Sequence, residues 1–191
     1  MSAPLFPLFL KLTGRRVVLV GGGAAATDKL RYLLQAEAEV TVVSPEVTDA
    51  IAAAPVALVR RGFRDSDLDG AWLVIAAATP EVNRMVAASG ERRRIFVNAV
   101  DDPASASAYA AAVLRRDQLT LAISTGGAAP ALAALVREAL DALLPADLSS
   151  WFAAARGARL EWVRDRTPMR ERRPALLRAL NRIYEARARS A

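Results

Sequence analysis

Arg16-Val-Val-Leu-Val-Gly-Gly-Gly-Ala-Ala-Ala26 is the stretch that decides the fold. Its branched apolar run reads as a strand, its three glycines as a tight turn, and its alanines as the start of a helix. Gly21, Gly23 and Ala26 stand in G-x-G-x-x-A spacing. In such a turn the first glycine allows the tight bend and the second lets backbone approach a pyrophosphate. The alanine lets helix pack closely on strand. The helix start adds oriented N–H groups that suit an anion. Gly21, Gly22, Gly23, Ala24 and Ala25 are therefore the expected contacts of a dinucleotide, NAD. A lone match of this kind is weak; opening a β-α-β series, it is specific.

Outward from the turn, that series is present. A helix over Ala24–Ala36 leads to a second strand, Glu39–Val43, and Val56–Val59 is a short third strand. Ala71–Ala77 is a continuous apolar fourth strand, Pro80–Ser89 a helix with proline in its first turn, and Ile95–Val100 a fifth strand. Such alternation implies a parallel sheet with right-handed crossovers. The fold class is α/β, a Rossmann-type sheet. After the second strand come Ser44, Pro45 and Glu46. Glu46 lies 23 residues beyond Gly23, near the about 20 expected of an acid that holds the ribose hydroxyls. Ser44 and the Pro45 backbone share that position. No arginine follows the strand directly, which favours NAD, while Arg60 and Arg61 at the end of the third strand keep NADP open.

Beyond Asp102–Pro103 the pattern changes. Ala108–Leu114 and Leu119–Ser124 flank Arg115–Gln118 as a hairpin. Gly126–Gly127 precede Pro130 and a helix, Ala131–Leu144, that Pro145 ends. Leu132, Leu135, Val136, Ala139, Leu140 and Leu143 share one face of it. Two arginine-rich helices follow, broken near Thr167–Pro168. The expected division is 1–107, a nucleotide domain; 108–145, a small α+β joining unit; and 146–191, a helical C-terminal part.

Composition narrows the chemistry. The 191 residues contain neither Cys nor His, which rules out disulfides, thiolate catalysis and cysteine or histidine metal ligands. No metal site is expected. Net charge is +6, and all basic residues except Lys11 and Lys29 are arginine, whose planar fork grips carboxylates and phosphates. The apolar fraction is 53%, but its blocks stop short of the about 20 residues a membrane span needs. Met1–Leu10 lacks a basic leader and a clear cleavage site, so it is expected to pack on the domain of a soluble, cytoplasmic protein. The basic tail carries no nucleic-acid reading motif, and no nucleic acid is expected as partner.

Phe96-Val-Asn-Ala-Val-Asp-Asp-Pro103 brings Asn98, Asp101 and Asp102 to the carboxyl edge of the sheet, where ligands bind in open α/β folds. A carboxylate there can take a proton from a substrate lying against a nicotinamide. An aspartate before proline can equally well just start a turn. Spacing alone leaves both readings open.

Several unlinked motifs carry a resemblance. Pro4-Leu-Phe-Pro-Leu-Phe9, Gly14-Arg-Arg-Val-Val-Leu-Val-Gly-Gly-Gly23 and Ala38-Glu-Val-Thr-Val-Val-Ser-Pro-Glu46 come first. Phe63-Arg-Asp-Ser-Asp-Leu-Asp-Gly-Ala-Trp-Leu-Val-Ile-Ala-Ala-Ala78, Arg94-Ile-Phe-Val-Asn-Ala-Val-Asp-Asp-Pro103 and Leu121-Ala-Ile-Ser-Thr-Gly-Gly-Ala-Ala-Pro130 follow in order. Together they resemble the dehydrogenase/ferrochelatase module of siroheme synthases over about residues 4–145. The resemblance implies NAD-dependent oxidation of precorrin-2 to sirohydrochlorin, with insertion of iron(II) in some members. It implies that Asp101 is the general base and that the segment Ala108–Leu144 forms a homodimer. The substrate it implies is a tetrapyrrole with eight carboxylates, which gives the arginines a small-molecule explanation. Asn98 and the Ser124-Thr125-Gly126-Gly127 stretch are candidates for its binding; the latter reads equally as a turn and helix start. Ala24 and Ala25 depart from the family's acid and valine, and Ser105-Ala-Ser-Ala-Tyr-Ala-Ala111 is unusually small, with Tyr109 its only large residue. An alternative that keeps the fold is a non-catalytic NAD-sensing or regulatory protein.

Overall fold

The computed structural model describes residues 4–188, with side chains through 185. Residues 1–3 of the apolar N-terminal stretch lie outside the described residues. The chain divides into two compact units. One comprises residues 1–110 together with 124–129, the other 111–123 and 130–191.

The first unit is built on five parallel strands in the order β3-β2-β1-β4-β5. They are β1 (Arg16–Val20), β2 (Glu39–Val43), β3 (Ala57–Val59), β4 (Leu73–Ala76) and β5 (Phe96–Ala99). β1 pairs with β2 from Arg16↔Glu39 to Val20↔Val43, and with β4 from Val17↔Leu73 to Val20↔Ala76. The strand order reverses between β1 and β4, so the crevice at a topological switch point opens beside the glycine turn. Helix α1 (Ala24–Gln35) buries Ala26, Leu30 and Leu33 on one face of the sheet, against Val17, Leu19, Val42 and Ile75. The short α2 (Asp49–Ala52) adds Ile51 to the same face. On the other face α3 (Pro80–Arg93) sets Val86 against Val18, Val20, Val74 and Val97. Each such side chain removed from water contributes about 1.5–3 kcal/mol, so both faces are well anchored.

Three expectations are corrected here. α3 does not stop at Ser89. Gly90 lies within the helix, and a Cβ there would lie 2.3 Å from Val97 Cγ2, so glycine serves close helix–strand approach; Arg94 closes the helix with φ 57°. β3, β4 and β5 are shorter than their apolar runs suggest: Val56, Ala71, Trp72, Ala77, Ile95 and Val100 fall outside the ladders. The N-terminal segment does not pack on the domain as expected. Leu12 is buried, but Leu5, Phe6, Leu8, Phe9 and Leu10 are exposed, Phe6 at 85%.

The second unit contains an antiparallel hairpin, β6 (Ala112–Arg116) and β7 (Leu119–Ile123), paired from Ala112↔Ile123 to Arg116↔Leu119. Arg115 and Arg116 belong to the strand rather than to the turn. Only Asp117 and Gln118 make the bend, with Asp117 at φ 51°, the positive value that tight two-residue hairpins require. Arg116 then donates to the carbonyls of Leu144 (3.0 Å) and Asp141 (3.1 Å) near the end of α4 (Pro130–Leu143). α4 turns Ala133 inward, while Leu132, Leu135, Val136 and Leu143 are exposed. Helices α5 (Leu148–Arg164) and α6 (Met169–Ala188) follow, with Thr167–Pro168 between them as expected. Trp151 Nε1 donates to Tyr184 Oη at 2.6 Å, with the two rings edge to face.

Candidate active site

The glycine turn runs from the end of β1 into α1, and each glycine has a separate geometric reason. Gly21 takes φ 122°, and a Cβ on it would stand 2.1 Å from the Ala77 carbonyl oxygen at the end of β4. A Cβ on Gly22 would stand 1.9 Å from the Glu46 carbonyl oxygen and 2.8 Å from Ser44 Oγ. Around Gly23, by contrast, a Cβ would meet nothing within 4 Å. Gly21 and Gly22 are thus closed in by protein, and Gly23 faces open space at the head of α1. That helix has no side-chain cap, so its first N–H groups lack intrahelical partners. An open glycine before uncapped N–H groups is a cradle of the right shape and polarity for a pyrophosphate, so the residues present fit a dinucleotide.

The loop after β2 closes against this turn. Gly21 N donates to the Val43 carbonyl at 3.0 Å and Thr48 N to the Gly22 carbonyl at 2.9 Å. Thr27 Oγ1 donates to the Gly23 carbonyl (3.0 Å) and meets Thr48 Oγ1 at 2.8 Å. Ser44 is buried, and its hydroxyl donates to the Glu46 carbonyl at 2.6 Å. Ser44 therefore shapes the loop, while Pro45 and Glu46 are exposed beside the turn. Of the two arginines that keep NADP open, Arg61 forms a two-pronged contact with Asp67, Nη1–Oδ2 at 2.8 Å and Nη2–Oδ1 at 2.6 Å. The guanidinium holds the buried Asp67 carboxyl below the usual carboxylate range, and Arg61 is raised in turn. Arg60 remains exposed.

At the carboxyl edge of β4 and β5, Asn83 acts as a clasp that sequence reasoning missed. Buried at 3% exposure, it accepts from Ala78 N (3.0 Å) and donates to the Val100 carbonyl (3.5 Å). A polar residue in the first turn of α3, facing inward, was the available signal. Asp101 follows at φ 56° and is exposed. Among the described residues its carboxylate makes no hydrogen bond or ion pair. Asp102 differs. The Ser105 hydroxyl and the N–H groups of Ser105 and Ala104 hold its carboxyl below the usual range, with Arg84 adding to the effect. Asp102 is the aspartate that builds the turn before Pro103, whereas Asp101 carries no such donors among the described residues.

Asn98 is buried at 8% exposure. Its Nδ2 donates to the Ala108 carbonyl at 2.9 Å, and its Oδ1 has no hydrogen-bond partner among the described residues. Its amide therefore anchors the strand-like return at Ser107–Ala108, whose N–H groups both donate to the Val97 carbonyl. Ser124 to Gly127 belong to the same unit as the sheet. Ser124 Oγ accepts from Gly126 N (3.1 Å) and Thr125 Oγ1 from Ala129 N (3.1 Å). Each hydroxyl keeps its own hydrogen to donate, as carboxylates on a ligand would need. A Cβ on Gly127 would lie 3.2 Å from Pro103 Cγ and 3.3 Å from Tyr109 Cε1. This stretch therefore packs beside the turn that carries Asp101.

The profile of a family described as putative NAD(P)-binding matches residues 8–112. The chain belongs to that family. A second profile, described as sirohaem biosynthesis protein central, matches residues 116–143 of this family member. Siroheme synthase 3 of Aeromonas hydrophila is 42% identical over 191 residues, covering 96% of this chain and 41% of the relative. Siroheme synthase of Citrobacter koseri is 43% identical over 147 residues, covering 74% of this chain and 32% of the relative. The chain thus spans about two fifths or less of the length of these relatives. A solved structure of SirC, precorrin-2 dehydrogenase, aligns with a TM-score of 0.68 at 25% identity, covering 91% of this chain and 88% of that one.

Proposed function

We propose that this chain is an NAD-dependent dehydrogenase that oxidises precorrin-2 to sirohydrochlorin. The observation that carries the reading is the pairing of an open Gly23 cradle with an unencumbered Asp101 on the same edge of the sheet. The similarity to siroheme synthases and to SirC, precorrin-2 dehydrogenase, supplies the substrate class.

Gly23, Ala24 and Ala25 hold the pyrophosphate through backbone N–H groups, and Glu46 holds the adenosine ribose. When bound, NAD+ supplies the hydride acceptor. Oxidation of the macrocycle by two electrons removes a hydride and a proton, and Asp101 Oδ takes the proton. Ser124 and Thr125 donate hydroxyl hydrogens to the macrocycle's carboxylates, and the Gly126 turn gives the ring room. Orientation of the two reactants against one another supplies much of the rate, a contribution that can reach several kcal/mol. Arg61 is held by Asp67, which supports NAD over NADP. The reading ends at sirohydrochlorin, since no observation of the site favours the iron(II) step. The regulatory alternative gains no support from the site, because Asp101 is left free at the sheet edge where a reacting group belongs.

The exposed leucines of α4 support a homodimer as the working form. No helix among the described residues is long and apolar enough to cross a membrane, and the use of NAD supports a cytoplasmic setting.

Asp101→Asn tests the assignment of the base. It should retain the fold and NAD affinity while lowering turnover about 10²–10⁴-fold, the usual contribution of a general base. Asp102→Asn should weaken the turn and lower turnover far less. Equal turnover in wild type and Asp101→Asn, both folded and NAD-bound, rejects the role.

A further inference from the structure

The segment between Asp101 and the second unit is made almost wholly of small residues, so its shape needs an explanation. Ser105 to Ala111 offers one large side chain, Tyr109. Its hydroxyl donates to the Pro103 carbonyl at 2.9 Å, across the loop that begins at Asp101. Its ring edge and Pro103 both lie against Gly127. A Cβ there would lie 3.3 Å from Tyr109 Cε1 and 3.2 Å from Pro103 Cγ, and Gly127 sits at φ +81°. The next residue upstream, Ala108, is held by Asn98 Nδ2 at 2.9 Å. Tyr109 is therefore fixed at its backbone by β5 and at its hydroxyl by Pro103. Its ring lies against Gly127, at the end of the Ser124–Gly127 turn.

We propose that Tyr109 is a positioning residue, a latch that sets the separation between Asp101 and the hydroxyl-bearing Ser124–Gly127 turn. It thereby fixes the width of the macrocycle site. This rests on the dehydrogenase reading given above. Alanine neighbours cannot replace the ring: none of Ala106, Ala108, Ala110 and Ala111 has atoms beyond Cβ. A tyrosine tied at both ends is stiff, whereas an untied aromatic ring would be free to change rotamer. The latch acts on where the substrate's carboxylates are held and leaves the glycine cradle alone. Its signature is a change in KM for the macrocycle, with NAD affinity unaltered.

The test uses the full chain in three variants, with steady-state kinetics on precorrin-2 and amide hydrogen exchange over residues 124–129. Tyr109→Phe keeps the ring and loses one neutral hydrogen bond, so KM for precorrin-2 should rise about fivefold, with kcat within about twofold. Tyr109→Ala should raise KM further, and exchange over 124–129 should quicken in both variants. Gly127→Ala should also raise KM, by less when Tyr109→Ala is already present, because the added Cβ then meets Pro103 without the tyrosine ring. Unchanged KM and unchanged exchange in Tyr109→Phe and Tyr109→Ala overturn the latch. Faster exchange with unaltered KM confines Tyr109 to a structural role and overturns the positioning claim. A drop in apparent kcat alone, from loss of folded protein, overturns it as well. A wild type that fails to oxidise precorrin-2, with the exchange response intact, overturns the dehydrogenase reading instead.

Discussion

A Cβ on Gly22 would press into the Glu46 carbonyl at 1.9 Å, whereas one on Gly23 would meet nothing within 4 Å. Adjacent glycines therefore fail in different ways when replaced. Gly22→Ala forces backbone apart and should destabilise the fold by about 1–3 kcal/mol or more. Gly23→Asp should fold normally and alter stability by only a few tenths of a kcal/mol, since aspartate is a sound helix cap. It should nonetheless abolish NAD binding, because its carboxylate occupies the pyrophosphate cradle. Thermal melts and calorimetry on the two variants check this; undiminished NAD affinity in a folded Gly23→Asp contradicts the assignment of the turn. The Gly21–Gly23 spacing was legible because it reports local backbone needs. The reason for Gly22 was not, since its contact comes from a residue 24 positions away. Asp101 and Asp102 were likewise inseparable by spacing. Only the Ser105 and Ala104 donors on Asp102 distinguish the turn-builder from the free carboxylate.

At the scale of elements, hydrophobic period identified the five strands and the two long helices of the sheet unit, with errors at their ends, and missed the short α2, whose single turn is too brief to show a period. The hairpin shows why ends fail. Arg115 and Arg116 look like turn residues by polarity, yet an exposed strand accepts long charged side chains. Arg116 is kept in the strand by the carbonyls of Leu144 and Asp141, which lie far along the chain. For α4 the periodicity showed an apolar face without showing what it meets. The structure turns Ala133 inward and leaves Leu132, Leu135, Val136 and Leu143 exposed, Leu143 at 79%. Four large apolar side chains on one exposed helix are an interaction surface, and a second copy is the proposed occupant. Leu135→Glu should convert a dimer to a monomer without unfolding the chain, as read by sedimentation at micromolar concentration. Wild type sedimenting as a monomer contradicts the proposal.

Along the whole chain, charge is unevenly distributed. Residues 148–191 hold eleven arginines against four acidic residues, a net +7, while residues 1–147 are close to neutral at −1. The arginine excess thus falls late in the sequence, from Leu148 onward. The proposed site in the sheet unit comprises the Asp101 carboxylate, the Ser124 and Thr125 hydroxyls and the glycine turn. The central claim is that this assembly oxidises a tetrapyrrole with NAD+ as acceptor. Anaerobic incubation of the purified protein with precorrin-2 and NAD+ tests it most directly, following the macrocycle spectrum and NADH absorbance together. The account predicts conversion to sirohydrochlorin with one NADH formed per macrocycle. A protein that binds NAD+ tightly yet leaves precorrin-2 unchanged would contradict it.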